Sequence, residues 1–466
     1  MTDTTPYQAP PHGWRTFLIV WITQSISVFG SALTFFAITV WLTTTLYPAE
    51  AQKPQLAWSL SALALAFAIP TVFLAPIAGA YVDRHDRKRT MIAMDFANGA
   101  LSLVIVFLMA TRRLNIVELV IIGSLGAVFA TFHNAAFDTS YAMLVPEEKL
   151  PRANGMMQTI FSLSGIVAPG LAAALISLPA LARQGRLPAF AAIAGQVNEG
   201  AVLALGLDAA TFVLAGLTPL FVSIPSPKRT DLHTPSGEKK SLWADVREGA
   251  LYIWHRRSFL WLLGTFTVAN FASGALVLQP ILVKFQLAPD WVARGFTLES
   301  ALALLATVGS LGGVAGGFVV SAWGGLKRRR VYGVLAALIL AGLAQITYGA
   351  SRWLFLTAGA AFFMEGMVPV MNSHSQTIWQ TQTPRELQGR VFSVRRLIAQ
   401  FSWPASTLLM GALASRFDPG RIIVVLGAFT TIWCVVGLFN PYLMRLEDKG
   451  WIESQALKNA GVVAAG

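Results

Sequence analysis

The stretch Gly79-Ala-Tyr-Val-Asp83-Arg84-His-Asp-Arg87-Lys88-Arg89 separates two long apolar runs, one ending at Val82 and the next beginning at about Thr90. Six charged side chains fall within seven residues of this turn. A turn this short between two apolar segments of membrane-spanning length must lie at a membrane surface. Its excess of Arg and Lys indicates the cytoplasmic surface. The glycine predicts close approach of a neighbouring helix, and the first aspartate can pair with an Arg or with a helix N-terminus.

The spacing Gly-xxx-Asp-Arg-xx-Arg-Lys in this turn resembles the signature loop between helices two and three of the major facilitator superfamily of transporters. An ordinary cytoplasmic loop needs the basic residues but neither the glycine nor the aspartate. The resemblance implies an all-α integral membrane protein with twelve transmembrane helices in two six-helix pseudo-repeats. It also implies alternating access, with a conformational latch formed by Gly79, Asp83, Arg84, Arg87, Lys88 and Arg89.

The composition is that of a polytopic membrane protein. The chain has 466 residues, 55% of them hydrophobic and 12% charged, whereas soluble proteins carry about 25% charged residues. The net charge of +12 comes from basic residues in the loops, which favours lipid headgroups over nucleic acid as the partner. Cys434 is the single cysteine and lies in an apolar run, so an intrachain disulfide is excluded.

Twelve apolar segments reach the length of about 20 residues that a bilayer requires. Their predicted bounds are 14–45, 56–82, 90–111, 116–145, 152–178, 201–223, 259–286, 298–323, 331–350, 353–381, 390–414 and 422–446. Six segments form an N-terminal half at 1–223, and six form a C-terminal half at 258–466 that includes a short cytoplasmic tail. The linker at 224–257 ends in an amphipathic helical pattern, expected on the inner membrane surface.

Charge and internal repetition support this division. With both termini inside, 25 of the 35 Lys and Arg residues fall in inner segments, which predicts cytoplasmic termini. Three features recur at an offset of 238 residues and indicate duplicated halves. They pair Gly79 with Gly317, Asn134 with Asn372, and Glu148-xxx-Arg152 with Glu386-xxx-Arg390. We expect Glu148, Arg152, Glu386 and Arg390 to belong to the latch as well.

Three more stretches point to one branch of the superfamily. They are Leu144-Val-Pro-Glu-Glu-Lys-Leu-Pro-Arg-Ala-Asn-Gly-Met-Met-Gln158, Gly165-Ile-Val-Ala-Pro169-Gly170 and Glu386-Leu-Gln-Gly-Arg-Val-Phe-Ser393. Together they are similar to the branch that contains macrolide efflux pumps and the enterobactin exporter. This resemblance implies proton-coupled export of hydrophobic or amphipathic molecules, macrolide-like or siderophore-like, with Gly165, Pro169 and Gly170 as an antiporter-type pattern. A related branch moves lysophospholipids, and the sequence leaves that substrate class open.

Proton coupling needs a titratable group at membrane depth, where an acidic residue costs roughly 2.5–3.5 kcal/mol. Glu365 is the first candidate, since it lies about twelve residues from either end of the tenth segment. Asp138 is the second, and it can serve either in coupling or in an inner gate with Arg152 or Arg390. We expect Asp208 to make a structural hydrogen bond. We expect Asp95 to pair with the basic loop.

Other polar side chains interrupt the segments that the resemblance places around a substrate cavity. The predicted contributors are Gln24, His133, Asn134, Asn270, Asn372 and His374. Because His133 and Asn134 are adjacent, they should not both face the cavity squarely. A lone histidine on an apolar helix is more often hydrogen-bonded structurally than functional. On the eighth segment, the repeat Gly309, Gly313 and Gly317 predicts close helix packing.

Other function classes fit the sequence less well. An ATP-driven pump needs a Gly-xxxx-Gly-Lys-Ser/Thr loop, which the sequence lacks. Its 6 His and 1 Cys are too few and scattered for a catalytic or metal site, and a receptor would carry a longer soluble extension. The sequence predicts a monomeric secondary transporter of a bacterial inner membrane, without catalytic residues, metal or cofactor. Its predicted partners are a small-molecule substrate, protons and membrane lipid, and not nucleic acid.

Overall fold

The computed structural model describes residues 10–82, 84–186, 188, 194–224, 242–384 and 387–459. Regular secondary structure in this part of the chain is helical, with no strand. Twelve of its helices are long and apolar enough to cross a membrane. The predicted all-α membrane fold with twelve spanning segments is therefore confirmed, and the chain is a multi-pass membrane protein.

The chain forms two compact units. The first comprises Met1–Pro48 and Ala62–Pro235, and the second comprises Ala49–Ser61 and Ser236–Gly466. The spanning helices numbered first along the chain are α1 (Gly13–Trp41), α2 (Lys53–Val82), α3 (Arg87–Ala110), α4 (Ile116–Leu144), α5 (Leu150–Arg183) and α6 (Ala201–Leu217). By this division the N-terminal end of α2 groups with the second unit.

Local sequence sets where the helices of the first unit begin. Asp86 caps α3, because its Oδ1 accepts the backbone N–H of Arg89 at 2.9 Å. Asn115 and Glu118 form a capping box at the start of α4, in which each side chain accepts the other residue's backbone N–H. Within this unit α1 packs against α5 and α6, and α3 packs against α4 and α6.

The second unit contains eight further helices of at least eleven residues among its described residues. They are α7 (Leu242–His255), α8 (Arg257–Ser273), α9 (Leu298–Trp323), α10 (Arg330–Ala350), α11 (Leu354–Gln382), α12 (Gln388–Ala414), α13 (Pro419–Gly437) and α14 (Lys449–Asn459). Short helical turns extend α8 to Gln286, which completes a spanning segment. In this unit α9 packs on α11, α10 lies against α11 and α13, and α12 lies against α7 and α8.

The amphipathic pattern of the linker corresponds to α7. Its Tyr252 and Ile253 are buried in the core of the second unit together with Phe259 and Trp379. Burial raises the pKa of the Tyr252 hydroxyl, and the guanidinium of Arg256 stacks 3.7 Å from the centre of the Tyr252 ring. One face of this helix therefore packs on the protein. The preceding residues 225–241 lie outside the described part of the chain.

Close packing on α9 involves other glycines than the ones predicted. A Cβ built at Gly312 or Gly316 would overlap the backbone carbonyl of Phe362 or Gly366 on α11. A Cβ at Gly317 would meet no atom within 4 Å, and one at Gly313 would make only ordinary contact. Gly309 of the predicted repeat does face α11, since a Cβ there would lie 3.5 Å from Cγ of Glu365 and 3.8 Å from Cβ of Ala361. The tightest approach of the two backbones is at Gly312 and Gly316 instead of Gly313 and Gly317, because adjacent residues point about 100° apart around a helix.

Candidate transport site

The first unit contains a cavity of about 590 Å³, within the usual range for small-molecule sites. All six helices α1 to α6 contribute to its walls. Most of the lining side chains are apolar, and the aromatic ones include Trp21, Phe35, Phe161 and Phe212. Such a lining suits a hydrophobic molecule, whose apolar surface leaves water on entering.

Two polar stripes run along the cavity wall. One lies on α1 and the other on α3, each with residues three or four positions apart, so that each stripe lies on one helix face. The stripes consist of Gln24, Ser27, Ser31 and Thr34 on α1, and Asp95, Asn98 and Ser102 on α3. Of these residues, sequence reasoning selected only Gln24 for the cavity. The helical spacing of the others was a readable signal that we missed.

A buried charged group lies where the two stripes meet α4. Gln24 donates through Nε2 to Asp95 Oδ2 at 2.9 Å, and His133 Nε2 lies 3.3 Å from Asp95 Oδ1. The Asp95 side chain is 1% exposed. The expectation that Asp95 pairs with the basic loop is wrong, because its carboxylate turns inward to His133 and Gln24. The structure thus joins two predicted cavity residues through an aspartate that sequence reasoning assigned elsewhere.

The other predicted residues of α4 also line the cavity. Asn134 and Asp138 are both exposed and in its lining. His133 is buried and faces Asp95, so the two adjacent polar residues do meet different surroundings. Of the gate partners considered for Asp138, Arg152 lies over the ring of Trp14 at 5.6 Å. This arrangement favours the cavity over the gate for Asp138.

Asp208 on α6 forms a second polar group in the same cavity. Its Oδ2 accepts hydrogen bonds from Thr34 at 2.8 Å and from Ser102 at 3.1 Å. The residue is 2% exposed, and its Oδ1 has no hydrogen-bond partner among the described residues. The expected structural hydrogen bond of Asp208 is therefore present, and it links α6 to α1 and α3.

Glu365 lies on α11 in the second unit, beside α9. It is half-buried, and a Cβ at Gly309 would lie 3.5 Å from its Cγ. Among the described residues we find no hydrogen bond or ion pair to its carboxyl group. A carboxyl group in a spanning helix without such partners is costly as a charge, which is the property that made it a coupling candidate.

The remaining predicted residues of the second unit differ in their surroundings. Asn270 on α8 is half-buried, and Asn372 on α11 is exposed. His374 is buried and uses both ring nitrogens, because Nδ1 donates to the carbonyl of Val370 at 2.7 Å and Nε2 accepts the N–H of Leu326 at 2.9 Å. With both nitrogens engaged, His374 anchors the turn after α9. Its predicted cavity role is not supported by these contacts.

The sequence model of the Major Facilitator Superfamily matches residues 20–407. The chain belongs to the major facilitator superfamily. It is similar to "Macrolide efflux protein A" of Streptococcus pyogenes, with 24% identity over 428 residues that cover 91% of this chain and 95% of that one. It is also similar to "Multidrug efflux pump Tap" of Mycolicibacterium fortuitum, with 25% identity over 403 residues covering 83% and 88%.

Solved structures agree on the fold of this superfamily member. A crystal structure of a mutant of the nucleoside transporter NupG matches with a TM-score of 0.67 and 10% identity. The match covers 91% of this chain and 99% of that one. At this identity the similarity concerns the fold and not the substrate.

Some basic residues of the charged turn after α2 already have hydrogen-bond partners inside the first unit, so only part of this turn could form a latch. Asp83 lies outside the described residues. Arg87 is buried and donates to the carbonyl of Thr139 at 3.2 Å and to Sδ of Met143 at 2.6 Å. Lys88 donates to the carbonyls of Leu220 and Val222, at 3.3 and 3.0 Å. Arg87 therefore contacts the C-terminal part of α4, and Lys88 contacts the short turn that follows α6. Both are places where helix dipoles favour positive charge.

The other predicted latch residues are scattered by the structure. Arg84, Arg89, Glu148 and Arg152 are exposed, and Arg390 pairs with Glu248 of α7. Glu386 lies outside the described residues. A Cβ at Gly79 would meet no atom within 4 Å, so the expectation of close helix approach there is wrong in this structure.

The antiporter-type pattern of the superfamily lies within α5. Pro169 is buried and Gly165 is half-buried, whereas Gly170 is exposed. The helix continues through Pro169, although a proline removes one backbone hydrogen bond. This helix packs against α1. It also lines the cavity through Met157, Ile160 and Phe161.

Proposed function

We propose that this chain exports hydrophobic or amphipathic small molecules across a bacterial inner membrane by proton-coupled alternating access. Both termini would lie in the cytoplasm. Membership of the superfamily supports a transporter, and the named efflux relatives support export. The single observation that carries the proposal is the largely apolar cavity of about 590 Å³ with the buried Asp95–His133 pair in its wall.

The lining favours neutral or basic substrates over anionic ones. Among its described residues, the acidic side chains are Asp95, Asp138 and Asp208, the one histidine is His133, and there is no Lys or Arg. An anion would meet like charge in a site of low dielectric, where repulsion is poorly screened. A macrolide-like amphiphile therefore fits this cavity better than an anionic siderophore-like compound.

Proton coupling would use carboxyl groups that are costly to hold as charges. Glu365 and Asp138 remain our coupling candidates, and the structure adds Asp95 with His133. A proton bound at one of these groups changes the free-energy difference between two conformations only if the group is better solvated or better paired in one of them. The membrane potential adds about 2.3 kcal/mol per charge per 100 mV.

We propose a latch with fewer residues than the sequence predicted. Arg87 and Lys88 already donate hydrogen bonds within the first unit, so Arg84 and Arg89 are the exposed basic residues of this loop among those that the structure describes. Together with Asp83, Glu148, Arg152, Glu386 and Arg390 they would stabilise one conformation by exposed ion pairs. Each such pair contributes up to about 1 kcal/mol, so the latch would be readily broken. The Gly165-Pro169-Gly170 stretch would supply the antiporter-type flexibility of α5.

Efflux from a pump-deficient bacterium tests this function. Cells are loaded with a fluorescent lipophilic cation or with a macrolide, and efflux is followed with and without a protonophore. We expect the protonophore to abolish efflux by the wild type, and Glu365→Gln or Asp95→Asn to reduce it at least about tenfold, which corresponds to the loss of about 1.4 kcal/mol of coupling.

The control variant is Glu118→Gln. Glu118 lies in the capping box of α4, where Gln preserves the hydrogen bond to the backbone, so efflux should not change. Wild-type efflux that persists with the protonophore would contradict proton coupling. Absence of efflux for both probes would contradict drug export.

A further inference from the structure

We propose that Asp208 and the hydroxyl groups around it form a binding site for a monovalent metal cation of the size of sodium. Oδ2 of Asp208 accepts from Thr34 on α1 and from Ser102 on α3. The hydroxyl of Ser31, one turn before Thr34 on α1, interacts with the same carboxyl group. Three helices thus direct oxygen atoms towards one buried carboxylate.

The charge of Asp208 needs a partner that side chains do not supply. Among the residues that the structure describes, the cavity lining includes no Lys or Arg, and its single histidine, His133, faces Asp95. The only charged residue of α1 is Arg15, near the start of the helix. The charged residues of α5 are Arg152 and Arg183, which lie near its two ends. An isolated carboxylate in such a place is strongly unfavourable. It must therefore bind a proton or a cation.

The hydrogen bonds favour a metal cation over a proton. Oδ1 of Asp208 is buried without a hydrogen-bond partner among the described residues. A proton on Oδ1 would turn this oxygen into a hydrogen-bond donor without an acceptor. Leaving a buried donor unsatisfied costs free energy. The hydroxyls that donate to Oδ2 keep lone pairs that can coordinate a metal. Carboxylate and hydroxyl oxygens are suitable ligands for a hard cation, and a single carboxylate balances one positive charge.

The backbone of α1 packs closely against this carboxylate at a glycine. A Cβ built at Gly30 on α1 would lie 2.8 Å from Asp208 Oδ1 and would overlap the hydroxyl of Thr211. Glycine at this position therefore lets α1 approach α6 without a side chain between them. A cation bound there would hold α1, α3 and α6 together. Asp208 is not one of the groups proposed for proton coupling, so the sodium response of the protein is measured independently of that coupling.

Thermal unfolding of the purified full-length protein in detergent tests the site. Tryptophan fluorescence is followed at one neutral pH and constant ionic strength, while sodium chloride replaces choline chloride. We expect a saturable rise in Tm of at least about 2 °C, because a ligand that binds only the folded state stabilises it. Asp208→Asn should abolish the rise, and Thr34→Val should increase the half-saturating sodium concentration at least about fivefold.

The matched control is Asp95→Asn, which neutralises the other buried carboxylate of the cavity and should leave the sodium response intact. If Asp208→Asn does not fold, the test rests on the half-saturating sodium concentrations of Thr34→Val and Ser102→Ala. Both should be higher than that of the wild type. An equal rise in choline chloride, or a sodium response unchanged in all these variants, would overturn the site. So would stabilisation by acidification alone with no response to sodium, since it would identify Asp208 as a proton site only.

Discussion

Neighbouring basic residues of the charged turn have different roles. Arg87 is buried and donates to the C-terminal end of α4, whereas Arg89 is exposed. The sequence shows them as two equivalent cations of a cytoplasmic loop. Their difference arises from the direction in which each side chain leaves the start of α3, since residues two positions apart point to different sides of a helix.

We predict that Arg87→Ala destabilises the protein by about 1.5–3 kcal/mol, because the hydrogen bonds of a buried charged donor to half-buried acceptors near the end of α4 are lost. Arg89→Ala, the matched control, should change stability by no more than about 0.5 kcal/mol. Both are measured as shifts in the unfolding transition of the purified protein. Equal shifts for the two variants would contradict the structural role of Arg87.

The buried pair of Asp95 and His133 shows what sequence reasoning misses about single residues. The helical spacing of Asp95, Asn98 and Ser102 is visible in the sequence and indicates a polar helix face. The partner of that face is not visible, because it depends on how α3 and α4 are rotated about their axes. We therefore assigned Asp95 to the nearest cations along the chain, although its partner is on another helix.

At the level of whole helices, the closest approach of α9 to α11 is made by one of two adjacent glycine stripes. The pairs Gly312-Gly313 and Gly316-Gly317 offer two adjacent faces with the same four-residue repeat. Periodicity alone cannot distinguish them. The structure uses Gly312 and Gly316, where added methyl groups would overlap the backbone of α11.

We predict that Gly316→Ala costs about 1–3 kcal/mol, because the methyl group forces two helix backbones apart. Gly317→Ala should be neutral or stabilising by up to about 1 kcal/mol, since alanine favours the helix and meets open space. Thermal unfolding of the two variants in parallel measures the difference. A larger loss for Gly317→Ala would show that the other face of α9 makes the contact.

The start of α11 depends on a carboxylate from another element. Oδ2 of Asp290 accepts the N–H of Leu354 at 2.8 Å and the Nε–H of Arg294 at 3.0 Å. These donors lower the pKa of Asp290. Its stabilising contribution is therefore fully present above the unfolded-state pKa of about 3.9. It is lost as the pH falls through the lower pKa of the folded state.

We predict that Asp290→Asn lowers Tm at neutral pH and that the difference from wild type shrinks as the pH falls below about 4. The measurement is Tm against pH for both proteins. Glu50→Gln, which changes an exposed carboxyl group, is the control and should follow the wild type. A difference that stays constant down to the lowest pH would exclude a contribution from the charge of Asp290.

At the level of the whole molecule, the two halves repeat in architecture but not in chemistry. The positions that match Gln24, Asp95 and His133 at the offset of 238 are Leu262, Gly333 and Met371. The buried polar group of the first unit therefore has no counterpart at these positions in the second. Both units are built of spanning helices, whereas these ionisable groups are found only at the positions in the first.

The orientation in the membrane is a further prediction for the whole molecule. We expect green fluorescent protein fused after residue 466 to fluoresce, and alkaline phosphatase fused there to be inactive, because the excess of Lys and Arg in the inner segments predicts a cytoplasmic C-terminus. Phosphatase inserted at Arg113, between α3 and α4, should be active, and phosphatase inserted at Arg84 should not. The reverse pattern would contradict the assigned orientation.

The linear sequence was sufficient for the twelve spanning helices and for membership of the superfamily. These properties depend on contiguous residues, because the bilayer sets the length of an apolar run and the motifs that carry the resemblance are short stretches of the chain. Tertiary packing determined the pairing of Asp95 with His133, the glycines of α9 that meet α11 and the oxygen cluster at Asp208. These contacts depend on the rotation of each helix about its axis, and residues distant in the sequence establish that rotation together.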